Sequence, residues 1–244
     1  MLQIVIPMSG EGRQFAEQGY TFPKPLVDIA GRPMIEIVAR NVTPREPHRF
    51  VFICRKEHMA RFALAEVLQL IAPHSDLITL NQPTAGALCS VLLAADRLAE
   101  DSELLVVNSD QYVDASIDVF LAAARQVEAD GSVIIFPSTH PKWSYVKVEN
   151  NAVVAVAEKR PISRNATAGI YYFRSSRNFV KAAERVILKN AAVGGEFYVC
   201  PVYNELVLEG RTVTIFPIAR EQMHSLGTPE EVKTFAANRA FAFD

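Results

Sequence analysis

The sequence predicts an α/β fold, a Rossmann-like mixed but mostly parallel sheet flanked by helices, in a single domain. Strand-like apolar runs alternate with helix-like segments through the first half, the pattern of right-handed βαβ units. The run at 104–108 is continuously apolar until its last residue, as a strand buried on both faces must be. Finally, 244 residues, half of them hydrophobic and 21% charged, suit one α/β domain with ample material for a core.

Element by element, a first strand at 2–7 is followed by a helix near 34–41 and a strand at 50–54. A helix near 56–71, a strand at 77–80, a helix near 86–98 and the strand 104–108 follow. The helix at 116–129 has Ser116 as its N-cap, since a serine oxygen can take a free backbone N–H of the first turn, and it leads to a strand at 132–136. From about Trp143 the texture changes to short strands at 145–149, 153–157 and 168–173. Asn150-Asn151 joins the first two, because asparagine tolerates the left-handed backbone of a tight hairpin turn. Helices near 177–188 and 198–208, a strand at 212–218 and a final helix from Pro229 complete the reading. No linker, repeat or low-complexity tract divides the chain. The halves 1–142 and 143–244 are expected to bind nucleotide and acceptor respectively.

A formal net charge of −2 argues against a broad nucleic-acid surface while allowing a local basic pocket. Cys54, Cys89 and Cys200 are scattered, odd in number and without a Cys-x-x-Cys pair, which reads as free thiols in a reducing compartment. The five histidines show no zinc spacing. No segment approaches the ~20 apolar residues of a membrane helix, and the N-terminal apolar run lacks the basic flank of a signal peptide. A cytoplasmic enzyme is expected, with neither nucleic acid nor membrane as partner and self-association left open.

The most informative stretch follows the first strand: Met8-Ser9-Gly10-Glu11-Gly12-Arg13-Gln14-Phe15, and then Phe22-Pro23-Lys24-Pro25-Leu26. Glycines bring backbone N–H groups close to an anion, and Arg13 and Lys24 add two cations. The stretch is not a dinucleotide fingerprint, because the third glycine position holds Phe15, nor a P-loop, which would end in Gly-Lys-Ser/Thr. An ordinary βα turn with a surface lysine is the plain alternative, which the prolines fixing the backbone around Lys24 weaken. With these residues the chain resembles the sugar-1-phosphate nucleotidylyltransferase family, in its glucose-1-phosphate thymidylyltransferase-like form. The resemblance implies Arg13 and Lys24 as catalytic residues and Met8, Ser9, Gly10 and Gly12 as nucleotide contacts.

Strand 104–108 ends in Asn108-Ser109-Asp110, where ligands of open parallel sheets bind. A carboxylate there suits Mg²⁺ beside a triphosphate, or else caps a turn. The resemblance makes Asp110 the family's catalytic, metal-binding aspartate and Mg²⁺ the cofactor. Gln82, a donor and acceptor for a base edge, and Gly86, which lets backbone approach a flat ring, become base contacts by the same resemblance. In the second half it makes Glu158 an acceptor of sugar hydroxyl protons, Lys159 the partner of the acceptor phosphate, and Gly169 a bare platform for the sugar, with Tyr171 in the same strand. Glu196, near a helix start, supplies a further hydroxyl contact. Tyr145 and Tyr171, with Trp143 and Tyr172, line the acceptor side, stack on a sugar or fill the core.

One departure stands out. Relatives carry an Asp two residues before a C-terminal Gly-Thr as second metal ligand; here Ser225 precedes Leu226-Gly227-Thr228. The implied reaction joins an NTP and a phosphorylated small molecule, a sugar 1-phosphate, into an NDP-sugar with release of pyrophosphate. Two other readings stay open: a cytidylyltransferase for a phospho-alcohol such as phosphocholine, whose ammonium the aromatics would cage, and a non-catalytic nucleotide-sugar-binding regulator, favoured by Ser225. A glycosyltransferase would show an Asp-x-Asp pair where Asn108-Ser109-Asp110 stands.

Overall fold

A computed structural model describes residues 1–99 and 101–238. In chain order the strands and helices are β1 (Leu2–Pro7), α1 (Arg13–Glu17), β2 (Asp28–Ile29), β3 (Arg32–Pro33), α2 (Met34–Asn41), β4 (His48–Arg55), α3 (Lys56–Phe62), α4 (Leu64–Ile71), β5 (Asp76–Leu80), α5 (Ala87–Leu92) and β6 (Leu104–Val107). They continue as β7 (Gln111–Val113), α6 (Ile117–Gln126), β8 (Gly131–Pro137), β9 (Ser144–Glu149), β10 (Ala152–Glu158), β11 (Asn165–Phe173), α7 (Ser176–Leu188), α8 (Val202–Leu208), β12 (Val213–Pro217), β13 (Met223–Ser225) and α9 (Pro229–Asn238).

The main sheet runs β10-β9-β11-β6-β1-β4-β5, with β8 on the other flank of β11 and β12 beyond it. Strands β6, β1, β4 and β5 are mutually parallel, the expected βαβ block. The antiparallel β11 joins it to the second half: its Ile170–Phe173 stretch pairs with β6 and its opposite edge with β8. This is the mixed, mostly parallel sheet that the alternation of segments predicts. Apolar side chains pack on both faces, one cluster around Ile4, Phe52, Leu105 and Tyr172, the other around Val5, Ile53, Val106 and Tyr203. Neighbouring residues of one strand fall in opposite clusters because successive side chains of a strand point to opposite faces.

Local chemistry explains the agreements and the misses. Ser116 caps α6 as expected, its Oγ accepting from Val119 N at 3.4 Å. Asn150 and Asn151 both take positive φ (49° and 64°), which the tight β9–β10 turn demands. The single helix expected at 56–71 is two, broken at Ala63, whose φ of 49° no alanine advertises in a sequence. The helix expected at 86–98 ends at Leu92 and passes into a short 3₁₀ turn, Ala95–Arg97. The helix expected from Tyr198 begins only at Val202, because the chain at Phe197 is held extended against Ala85 and Leu88 by backbone hydrogen bonds of 2.8 and 3.1 Å. Too short to show a periodicity, α1, the β2–β3 hairpin and the β7–β13 pair carry no signal in the sequence.

Candidate active site

The parallel strands β1 and β6 end side by side, and the two segments leaving them face one another across a cavity of about 720 Å³. Its floor is the 8–13 loop, its walls Lys24, Asp110 and the Pro83–Ala87 stretch. Gly12 has a left-handed backbone (φ 61°), and a Cβ there would stand only 3.0 Å from Lys24 Cβ. The glycine thus lets the Lys24 turn pack onto the loop. Lys24 begins a short 3₁₀ turn between Pro23 and Pro25, and its Nζ reaches Asp110 Oδ2 at 2.6 Å. Both side chains are partly shielded from water, so the pair is worth more than a surface ion pair. Arg13, the first residue of α1, lies largely exposed and donates to its neighbour Glu11, which holds the Arg13 guanidinium above its ordinary pKa and the Glu11 carboxyl below.

A second, narrower cavity of about 290 Å³ opens beside the first, and Asn108, Asp110, Ala87 and Tyr198 line both. Glu158, Lys159, Gly169 and Tyr171 line this one, as the resemblance implies. Glu158 is buried (8% exposed), accepts a hydrogen bond from Ser144 Oγ, and has its pKa raised by burial, which the Ser144 contact and nearby Lys159 only partly offset. Lys159, in a left-handed turn (φ 52°), donates to Tyr198 Oη, and Tyr198 in turn donates to Glu196 Oε2 at 2.5 Å. Burial, reinforced by Glu196, keeps Tyr198 protonated with its pKa raised. Tyr171 closes the back of the cavity, its hydroxyl 3.1 Å from that of Thr167.

Two expectations need correction, and two glycines have a further reason. Tyr145 lines neither cavity; it is fully buried and donates to His140 O at 2.6 Å. Strand alternation decides this, since Ser144 faces Glu158 and its neighbour must face away. Gln82 is exposed and outside both cavities, whereas Thr84, Gly86 and Ser90 line the first. Gly86 does lie at the cavity wall, but its bare backbone (φ 108°) is demanded by Phe197, whose carbonyl oxygen would be 2.4 Å from any Cβ. Gly169 likewise makes room for protein: a Cβ there would meet Gln111 Oε1 at 2.4 Å and Asn108 Nδ2 at 2.5 Å. Of the four aromatics, Tyr145 and Tyr172 are core, whereas Trp143 and Tyr171 line the second cavity, with the Lys142 ammonium 4.3 Å from the Trp143 ring centroid.

Sequence reasoning missed Gln111, Ser144, Ser90 and Glu231. Ser9 and Thr84 hydroxyls flank Ser90 Oγ at 3.2 and 2.7 Å, a short polar chain along the first cavity. Glu231 lines the second cavity through the pairing of β13 with β7, which brings the start of α9 beside Asp110. Its position was legible, since Thr228-Pro229-Glu230-Glu231 is a capping box followed by helix. Glu231 N donates to Thr228 Oγ1 at 3.2 Å and Thr228 N to Glu231 Oε2 at 3.1 Å. Among the described residues no group of three or more His, Cys, Asp or Glu gathers as a ready metal cluster, and no helix is long and apolar enough to cross a membrane.

Comparison with known proteins places the chain among nucleotidyl transferases. The model of the family described as nucleotidyl transferase matches residues 4–191. A bifunctional protein GlmU of Alkalilimnicola ehrlichii is 25% identical over 98% of the chain, which spans about half of that relative's length (50%). The structure of a nucleoside-diphosphate-sugar pyrophosphorylase from Vibrio cholerae RC9 is 28% identical with a TM-score of 0.82, covering 96% of this chain and 99% of that one. A UTP-bound UGPase of Acinetobacter baumannii has a TM-score of 0.74 over 98% of this chain and 93% of its own; at 17% identity it speaks for the fold.

Proposed function

The chain belongs to the nucleotidyl transferase family, and from that premise we propose that it transfers a nucleotidyl group from an NTP to a sugar 1-phosphate, giving an NDP-sugar and pyrophosphate. The observation that carries the reading is the pair of cavities meeting at Asp110, one walled by a glycine-bearing loop and Lys24, the other by a buried carboxylate and Lys159. The first suits a triphosphate: backbone N–H groups and cations offset its charge without needing to move. The second suits a polyhydroxyl ring with an anionic substituent, since Glu158 accepts from hydroxyls and Lys159 pairs with phosphate.

In the reaction an oxygen of the acceptor phosphate attacks the α-phosphorus in line, and the bond to the bridging oxygen breaks so that pyrophosphate leaves with its electron pair. The attacking oxygen is already anionic, so no group need take a proton. Catalysis is then alignment of the two substrates across Asp110 and neutralisation of developing charge by Lys24 and Arg13. The oxygens present fit Mg²⁺, a hard ion that commonly binds through one or two carboxylates plus substrate phosphates, with Asp110 as its protein ligand. Bound there, Mg²⁺ would offset phosphate charge. A phospho-alcohol acceptor stays as the second reading, since Trp143 and Tyr171 line the second cavity while Tyr145 and Tyr172 belong to the core.

Pyrophosphate release, measured with four NTPs against a panel of phosphorylated acceptors, tests the assignment and names the base. Lys24→Ala and Asp110→Ala should each lower turnover at least about a hundredfold while leaving the fold intact. Near-normal rates in either variant would overturn the site.

A further inference from the structure

Position 225, where relatives place an aspartate, holds a serine, and the serine points at another carboxylate. Ser225 Oγ donates to Glu231 Oε2 at 2.8 Å. Gly227, between them in sequence, leaves a gap: a Cβ there would lie 3.3 Å from Glu231 Oε2, 3.5 Å from Asp110 Oδ2 and 3.6 Å from Ser225 Oγ. Oxygens from three separate segments, the β6–β7 turn, β13 and α9, therefore converge on one point in the wall of the second cavity. His224, the other candidate, is turned away by strand alternation. Its ring packs on Tyr112 and Phe235, with Nε2 3.3 Å from Asp114 Oδ2.

We propose that Glu231 supplies the second carboxylate of the metal site, replacing from the first turn of α9 the aspartate that position 225 lacks. The inference rests on the nucleotidyltransferase reading, which calls for a divalent cation between the substrates. Glu231 Oε2 is fixed by Thr228 N and Ser225 Oγ, while among the described residues Oε1 accepts only from the Lys142 ammonium, a long side chain that can withdraw. The capping box thus sets the carboxylate in place, and the Ser225 hydroxyl, which donates to it, orients it.

Because glutamine serves the third helical position of a capping box as well as glutamate, Glu231→Gln separates structure from metal binding. Mn²⁺ binding, followed by electron paramagnetic resonance with saturating non-hydrolysable α,β-methylene NTP, should weaken about tenfold or more in Glu231→Gln at an unchanged melting temperature. Adding Ser225→Asp to that variant should restore it. Equal Mn²⁺ affinity in wild type and Glu231→Gln would overturn the role of Glu231 alone. If the wild type binds none of the four nucleotide analogues, the functional reading fails and the inference with it.

Discussion

Replacing Gly86 by alanine should disable the protein through a contact 111 residues away in sequence. The backbone there (φ 108°, ψ 172°) lies in a region open essentially to glycine alone, which costs an alanine roughly 1–3 kcal/mol. The new methyl would also stand 2.4 Å from Phe197 O and 2.7 Å from Phe197 N, distances that real Cβ atoms do not show. Backbone must therefore shift, straining the hydrogen bonds from Phe197 N to Ala85 O and from Leu88 N to Phe197 O. With about 1 kcal/mol for each weakened bond, the total is about 3–5 kcal/mol, or roughly 6–20 °C in melting temperature for a chain of this size. Gly194 supplies the control: its φ is also positive (61°), yet a Cβ there meets nothing within 4 Å. Gly194→Ala should cost only the backbone term, about 1–2 kcal/mol. Denaturant unfolding of both variants, with nucleotide and acceptor KM values, measures the difference. Equal stabilities would refute the claim that Gly86 exists for Phe197.

Glu158 and Tyr198, which line the second cavity, give two further outcomes. Glu158 has a raised pKa in the folded protein, so between its unfolded value near 4.5 and that higher value the native state binds more protons, and stability falls as pH rises through the window. Glu158→Gln should remove the loss, melting higher than wild type at neutral pH but not at pH 4, while acceptor turnover drops; equal melting curves at neutral pH would count against the burial cost. Tyr198→Phe deletes the hydroxyl between Lys159 and Glu196 and should raise the acceptor KM about tenfold with a smaller change in kcat. An unchanged KM would show that Lys159 needs no such support.

Strands were the legible part of the fold, because continuous or alternating apolar runs are an imprint of burial at single-residue spacing. Ile4, Phe52 and Leu105 could be placed on paper. The helix breaks at Ala63 and Leu92 could not, since nothing about those residues demands them. In the candidate site, Lys24 stood out by the prolines around it and Asp110 by its place after a strand, while Glu158 and Lys159 were placed only by the family resemblance. Tyr145 was misplaced by neglecting alternation from Ser144. The reasons for Gly86 and Gly169 lie in Phe197 and in Asn108 and Gln111, contacts that only the folded chain creates. Glu231 went unread although the Thr228–Glu231 spacing is that of a capping box, and its place beside Asp110 comes from the pairing of β13 with β7.

The bond between Lys24 and Asp110 has a consequence for how the protein meets its ligands. Each of these groups is the other's counter-ion, 2.6 Å away, in the resting state. A stray phosphate finds the ammonium taken, and a stray divalent ion finds the carboxylate taken. A triphosphate strong enough to draw Lys24 aside bares Asp110, and a cation on Asp110 frees Lys24. Each ligand removes the other's competitor, so their affinities must rise by one common factor, whichever arrives first. In the proposed reaction, two charges that hold each other at rest would thus act as a latch that opens to the metal–nucleotide complex and resists either component alone.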